Sequence, residues 1–347
     1  MSVLVIDCGT TNTRVYLCTQ GGCILDTRAC KIGARNASML ASNEVLRREI
    51  SGMIADLRRA HPELSVSAIF ASGMITSEIG LYELSHLVAP CGKKELAGGI
   101  QKVSGLCLTR DEIPVYFVRG VKNAPEKSIL SPFAAAACAD FMRGEETQAM
   151  GLLERHMMSL PGIMLVLSSH SKWIFLSETG EILGSRTTAS GQLYAAILAE
   201  TFVGKSVAAD PAHPAPADYF DETLVRHAME MTRSAGVARA MMAPRFLDVL
   251  FDTAWYERRL FFEAAIAADD LLAVHGETMQ MFLGARSFFL TGQAERCKLY
   301  RYLLHQMLPD AEITECSDAL ALAQLTVDGI LAIAHEAGIL PPKYEHL

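Results

Sequence analysis

Asp7-Cys8-Gly9-Thr10-Thr11-Asn12-Thr13-Arg14 is the stretch best equipped for chemistry in this chain. It follows Val3-Leu4-Val5-Ile6, a bulky run of the kind a buried strand uses. A glycine in such a turn lets the backbone bend tightly and approach a ligand closely. Successive backbone N–H groups can form an anion cradle. The threonine hydroxyls and Asn12 add hydrogen-bonding groups, and Arg14 adds a fixed positive charge. Asp7, at the strand end, is placed to hold Mg2+ directly or through water. Together these suit the phosphate tail of a nucleotide. The helix-entering phosphate loop is excluded, since Gly-x-x-x-x-Gly-Lys-Ser/Thr is missing and a strand follows. The plain structural alternative is a polar hairpin with a capping aspartate.

Four further groups carry candidate chemistry. Glu145 and Glu146 follow a break at Arg143-Gly144. Adjacent helical residues point about 100° apart, so one of the two faces a given site. That one is a general base or a water-mediated Mg2+ contact, or both acids simply favour a helix N-terminus. Arg143 can clamp a carboxylate or phosphate bidentately, or pair with one of the glutamates. Ser168-Ser169-His170-Ser171-Lys172 is a second polar turn, whose His170 and Lys172 suit a phosphate or a carboxylate. In Ser72-Gly73-Met74-Ile75-Thr76 the glycine permits close approach and the hydroxyls suit a polyol, unless Thr76 is the N-cap of an ordinary helix. Thr291-Gly292-Gln293 ends a strand and opens a helix, which fits an adenine or ribose contact as well as a simple tight turn.

The elements that must hold these groups follow from periodicity. Val15 to Cys18 and a strand from Cys23 continue the opening as an antiparallel meander around Gly21-Gly22. Leu46, Ile50, Met53, Ile54 and Leu57 have helical spacing. Ala68 to Ala71 and Val115 to Val118 read as strands, residues 122–131 as a loop, and the alanine-rich stretch 133–142 as a helix. The opening pattern then returns: Met164 to Leu167, a polar turn, Trp173 to Leu176, Thr179-Gly180, and Glu181 to Gly184. Asp7 and Ser168 are 161 residues apart while Gly22 and Gly180 are 158 apart, which predicts a second polar turn about three residues shorter. A unit occurring twice implies two similar domains. Three prolines mark residues 206–218 as a loop, and residues 220–285 read as helical. A strand at Ser287 to Leu290, a helix to Met307, a short strand at Ile313 to Glu315 and a long helix from Asp318 to Ala337 complete the chain. The predicted domains are 1–135 and 136–317, with 318–347 a terminal segment whose helix packs back on the first.

Composition narrows the function. At 347 residues, half hydrophobic and a fifth charged, the chain is globular and long enough for two domains. A net charge of -8 without a basic block argues against nucleic acid as a partner. No run of about 18 apolar residues argues for a membrane span, and the N-terminus lacks the pattern of a secretory signal. Nine cysteines without any Cys-x-x-Cys, and ten histidines without His-Glu-x-x-His, predict free thiols in a reducing cytoplasm and no zinc site. The sixteen methionines read as core filler.

The opening loop resembles the first phosphate loop of the actin, hexokinase and heat-shock ATPase superfamily. Four other stretches are similar to the 2-dehydro-3-deoxygalactonokinases, which are 2-keto-3-deoxy sugar-acid kinases. They are Ala71-Ser72-Gly73-Met74-Ile75-Thr76-Ser77 with Gly80 and Ala89-Pro90; Met142-Arg143-Gly144-Glu145-Glu146-Thr147-Gln148; His170-Ser171-Lys172-Trp173; and Leu290-Thr291-Gly292. The matches keep family order from residue 3 to about 335, with residues 205–260 outside them. The resemblance implies an α/β fold of two similar ribonuclease H-like domains with an interdomain cleft. It implies Mg-ATP-dependent phosphorylation of a 2-keto-3-deoxy acid, on the galactonate model at carbon 6, by positioning and charge neutralisation. It assigns Asp7 to Mg2+ and, with Glu145 or Glu146 as base, to catalysis. Gly9, Thr10, Thr11, Asn12, Ser169, His170, Ser171, Lys172 and Gly292 are assigned to ATP, and Ser72, Gly73, Met74, Thr76 and Arg143 to the acid. The partners implied are ATP and a small sugar acid, with a homo-oligomer allowed and the cytoplasm as location.

Two positions depart from the family pattern. Leu167-Ser168-Ser169-His170 stands where Pro-Gly-Thr-His is usual, and Ser190-Gly191-Gln192-Leu193 where Thr-Gly-Glu-Leu is usual. The rivals these departures leave are a non-catalytic nucleotide or sugar-acid sensor, and a phosphatase or nucleotide hydrolase, on the same fold.

Overall fold

Val3, Leu4, Val5 and Ile6 are completely buried, as their bulk requires, and they form the middle of β1 (Ser2–Cys8). β1 pairs antiparallel with β2 (Thr13–Thr19), and β2 with β3 (Ile24–Cys30). On its other side β1 pairs in parallel with β4 (Val66–Gly73). β5 (Leu87–Val88), β6 (Gln101–Val103), β7 (Val115–Phe117), β8 (Val121–Lys122) and β9 (Phe141–Met142) follow. The six-stranded sheet has the order β3-β2-β1-β4-β7-β6, and a small sheet the order β5-β8-β9. Leu46, Ile50, Met53, Ile54 and Leu57 of the helix Glu44–Ala60 are buried with Leu4, Ile6, Leu17, Ile69 and Phe117, so the spacing read from sequence is the face that packs on the sheet. The computed structural model describes residues 1–34, 42–124, 131–274 and 277–341. The expected loop at 122–131 therefore lies largely outside the described residues.

A second sheet has the order β12-β11-β10-β13-β14, from β10 (Gly162–Leu167), β11 (Ser171–Leu176), β12 (Ile182–Thr188), β13 (Ser287–Thr291) and β14 (Glu312–Cys316). Its strand order, three strands consecutive in sequence at one side and later strands beyond the first of them, follows that of the first sheet, and the fold is α/β with two sheet-containing domains. By contacts the chain forms two units, one of Met1–Gly162, Ile174–Ser185 and Asp318–Leu347, the other of Ile163–Trp173 and Arg186–Ser317. Residues 136–162 thus cluster with the first unit. The reason is the helix Glu145–Glu154, whose main neighbour is the last helix, Ala319–Glu336. The two helices meet backbone to backbone: a Cβ on Gly151 would lie 1.9 Å from the Leu325 carbonyl oxygen, and one on Gly329 1.7 Å from that of Thr147. By length and composition the last helix could cross a membrane, but its run from Leu325 to Ala334 is buried in this unit, as in a core helix.

Three local expectations are corrected. The alanine-rich stretch 133–142 is not one helix but the short Pro132–Ala135, with no buried residue, followed by a turn and β9. High alanine content without an apolar stripe gives a helix nothing to pack against. Thr76 caps no helix; it ends a 3-10 turn, Met74–Thr76, and the backbone then folds back with the Leu81 N–H on the Ile75 carbonyl. The second polar turn is one residue shorter than the first, not three. Strand ends Cys8 and Leu167 are 159 positions apart, and strand starts Thr13 and Ser171 are 158 apart.

Candidate active site

In the first unit, the turn after β1 closes with the Gly9 N–H donating to the Asn12 carbonyl at 2.8 Å. Thr13 is buried, its hydroxyl donating to the Ile32 carbonyl at 2.7 Å. Thr10 and Thr11 are exposed, and their backbone N–H groups have no acceptor among the described residues, as an anion cradle requires. Asn12 Nδ2 donates to Thr11 Oγ1 at 3.0 Å. Gly33, three residues past β3, braces the turn from behind: a Cβ there would lie 2.5 Å from the Thr10 carbonyl.

Asp7 pairs across β2 with Arg14, whose Nη1 lies 3.5 Å from its carboxylate, and across β4 with Ser72. Burial raises the Asp7 carboxyl above its ordinary value; Arg14 pulls it back and Glu145 pushes it up again. Glu145 is therefore close enough to act on Asp7. Three glycines explain how. Gly73, at φ +87°, ends β4 against Cys8, where a Cβ would meet the Cys8 carbonyl oxygen at 2.4 Å. Gly144, at φ +109°, sits on Gly73, with its Cβ position 3.4 Å from the Gly73 Cα. Gly144 opens the helix Glu145–Glu154, so both glutamates are delivered to the end of β1. They part there, as their angular offset demands. Glu145 is half-buried and accepts from the Arg143 N–H at 3.2 Å. Glu146 is wholly buried, its two carboxylate oxygens accepting from the Gly144 N–H at 2.9 and 2.8 Å. Burial pushes Glu146 up to about 8, with Glu145 adding to the rise.

The donor set suits a hard cation. Asp7 offers carboxylate oxygen next to a second carboxylate, and Ser72 Oγ, beside it in the sheet, is buried without a partner. Mg2+ asks for one or two carboxylates and completes its shell with water and phosphate oxygens. Among the described residues no cluster of three or more His, Cys, Asp or Glu could hold a metal by itself.

Arg143 leans away from Asp7. Its Nη1 donates to Thr76 Oγ1 at 2.8 Å and its Nη2 to the Leu84 carbonyl at 2.8 Å. Thr76 is fully buried, and its hydroxyl donates to the Gly73 carbonyl at 3.0 Å. Ser72 and Gly73 are likewise buried, whereas Met74 is half-buried. Gly120 makes room for the arginine: a Cβ there would lie 2.8 Å from Arg143 Cγ and 3.0 Å from His86 Cδ2. Sequence reading missed His86 and Arg119. Arg119 Nε donates to the Ser85 carbonyl at 2.7 Å, and its Nη2 to the Ser85 hydroxyl. No motif marks them, because the small sheet β5-β8-β9 assembles them from distant segments.

In the second unit, the turn after β10 is tied down from within. Ser171 is buried, with its Oγ 2.7 Å from Ser190 Oγ. Arg296, also missed, donates to the Ser168 carbonyl at 2.7 Å, to Ser171 Oγ at 2.8 Å and to Ser190 Oγ at 3.1 Å. Lys172 is buried and donates to Thr187 Oγ1. Ser168 and Ser169 are exposed and His170 half-exposed, with Ser169 Oγ 3.3 Å from His170 Nδ1. Gly191 braces this turn as Gly33 braces the first, its Cβ position 2.1 Å from the Ser168 carbonyl oxygen. Gly292 abuts the Leu167 carbonyl as Gly73 abuts that of Cys8. The Gln192 backbone N–H donates to the Ser169 carbonyl at 2.8 Å, a contact that does not depend on its side chain.

The model of the family described as 2-keto-3-deoxy-galactonokinase matches residues 7–331. Among solved structures, a Sinorhizobium meliloti protein assigned as a 2-dehydro-3-deoxygalactonokinase superposes with a TM-score of 0.71 at 19% identity, covering 98% of this chain and 99% of that one. Component A of the Acidaminococcus fermentans (R)-2-hydroxyglutaryl-CoA dehydratase gives 0.49 at 11% identity, over 97% of this chain and 99% of that one. A search of curated proteins finds no match.

Proposed function

The chain belongs to the 2-keto-3-deoxy-galactonokinase family, a family of sugar-acid kinases with ATP as co-substrate, and we propose that it phosphorylates the carbon-6 hydroxyl of 2-dehydro-3-deoxy-D-galactonate or a closely related 2-keto-3-deoxy acid. The observation that carries the residue assignment is the stack Cys8–Gly73–Gly144, which brings Glu145 to Asp7.

In this reading the phosphate tail of ATP lies on Gly9, Thr10, Thr11 and Asn12, with N–H groups as donors. Asp7 would hold Mg2+, which would supply neutralising charge to the phosphates. Glu145 orients the acceptor hydroxyl and takes its proton as the bond from the hydroxyl oxygen to the γ-phosphorus forms and the bond from that phosphorus to the bridging oxygen breaks, releasing ADP. Glu146, buried on the Gly144 N–H, is a positioning residue that fixes the helix start. Met74 and Arg143 meet the acid, while Ser72, Gly73 and Thr76 support that wall from behind. In the second unit, Ser169 and His170 present groups to the nucleotide, and Ser171, Lys172 and Gly292 hold their turn. The assigned location is the cytoplasm.

The test is ADP release from Mg-ATP across a panel of 2-keto-3-deoxy acids, galactonate and gluconate forms included. Turnover on one acid is expected. Glu145→Gln should then lower kcat by about 10²–10⁴-fold, the usual worth of a general base, and Glu146→Gln by less than about tenfold. ATP binding without turnover on any acid would overturn the kinase reading. The reverse order of the two glutamates would overturn the assignment of the base.

A further inference from the structure

Arg119 and Arg143 share an unusual setting. Each guanidinium is held by neutral acceptors only: Arg119 by Ser85, Arg143 by Thr76 Oγ1 and the Leu84 carbonyl. Among the described residues neither forms an ion pair with a carboxylate, although most other arginines here do. Their charges are fixed in place by hydrogen bonds, with no carboxylate among the described residues at ion-pair distance.

His86 reports where the two charges converge. It stands beside Arg143 at the Gly120 crossing and lies against the Phe141 ring, with centroids 5.2 Å apart. Its Nε2 is buried with no hydrogen-bond partner. Burial first, then Arg143, Lys122 and Arg119, push the imidazole down to about 4, with Glu78 opposing. Glu146, Glu78 and Glu83 act on Arg143 as well; Glu146 is held on the Gly144 N–H and pushed up to about 8 by burial, and Glu78 and Glu83 are exposed. A neutral imidazole with an orphaned nitrogen, next to two guanidinium groups that no carboxylate pairs directly, is a setting that a bound anion would complete. A buried polar atom without a partner costs stability unless a ligand supplies one.

We propose that Arg119, Arg143 and His86 form the carboxylate subsite of the acceptor, the element that selects a sugar acid over a neutral sugar. The proposal rests on the kinase reading above and adds the basis of its selectivity. With two N–H groups of each guanidinium spent on Ser85 or on Thr76 and Leu84, the remaining N–H groups of both arginines are the donors for a carboxylate, and His86 Nε2 carries a further donor in one tautomer. The tie from Arg143 through Thr76 to Gly73 links this subsite to the strand end beside Asp7. A site built to bind a charged group rejects the analogue lacking it, because its own groups are then left unpaired.

The experiment compares kcat/KM for 2-keto-3-deoxygalactonate with that for the matching 3-deoxyhexulose, in which CH2OH replaces the carboxylate. The wild type should prefer the acid. Arg119→Gln should reduce that preference by about 10- to 100-fold, the loss expected for one charge-assisted contact. Arg119→Lys should recover part of it, and His86→Gln should lower it less than Arg119→Gln. The ratio is insensitive to a partly unfolded sample, since that loss cancels. Should Arg119→Gln give no folded protein, the same ratio in Arg119→Lys and His86→Gln decides. An unchanged ratio in the variants, with the acid still phosphorylated, overturns the subsite and leaves the kinase intact. A wild type inert towards both compounds overturns the kinase reading and the subsite with it.

Discussion

In the first unit the turn after β1 ends a strand carrying Asp7, and Thr10 and Thr11 are exposed, with backbone N–H groups that find no acceptor among the described residues. In the second unit the turn after β10 ends a strand with Val166 in that place, and its inner hydroxyl and lysine are engaged by Arg296, Ser190 and Thr187. The supporting frame is the same in both. A glycine three residues past the third strand presses on the turn, Gly33 on Thr10 and Gly191 on Ser168. A glycine at the end of the fourth strand presses on the last residue of the first, Gly73 on Cys8 and Gly292 on Leu167. The duplicated scaffold therefore carries different charge: the first copy sets Asp7 beside Arg14, while the second has Lys172 in the place of Arg14, adds Arg296 and has Val166 in the place of Asp7.

The comparison can be broken first at the glutamates of the first copy. Glu146 sits at about 8 in the folded chain, above its ordinary 4.5. The folded state thus binds the proton more tightly, and the resulting stabilisation is complete below about pH 4.5 and is lost as pH rises through 8. Urea unfolding between pH 5 and 9 should show this group's share of wild-type stability falling by about 4 kcal/mol. In Glu146→Gln, neutral throughout, that fall should vanish; an identical slope in both proteins would contradict the burial of the acid. A smaller effect sharpens the frame itself. Gly33→Ala and Gly191→Ala each force a methyl against carbonyl backbone and should each cost about 1–3 kcal/mol, read by thermal unfolding. If only one is costly, the two turns are not braced alike.

Much of this was legible in the sequence. β1 to β4 and β10 to β13 announce themselves by short bulky runs, and the repeat by its two glycine hairpins. Asp7 and the threonines were legible because strand end, turn and side chains are contiguous. Glu145 could not be separated from Glu146, since the choice depends on Gly144 meeting Gly73, some seventy positions away. Arg119, His86 and Arg296 were invisible for the same reason: each becomes a site residue only through a tertiary neighbour. The stretch 133–142 misled because helix propensity is a weak prior where no face is buried.

The most direct test of the account is transfer of the γ-phosphoryl group from Mg-ATP to a 2-keto-3-deoxy acid, followed by ³¹P NMR, in the wild type and in Asp7→Asn. The account predicts a phosphate monoester on the acid with the wild type, and a rate lower by at least about 10²-fold with Asp7→Asn, in keeping with loss of a preorganised charge at the phosphates. Inorganic phosphate released without the acid, or full transfer by Asp7→Asn, would contradict it.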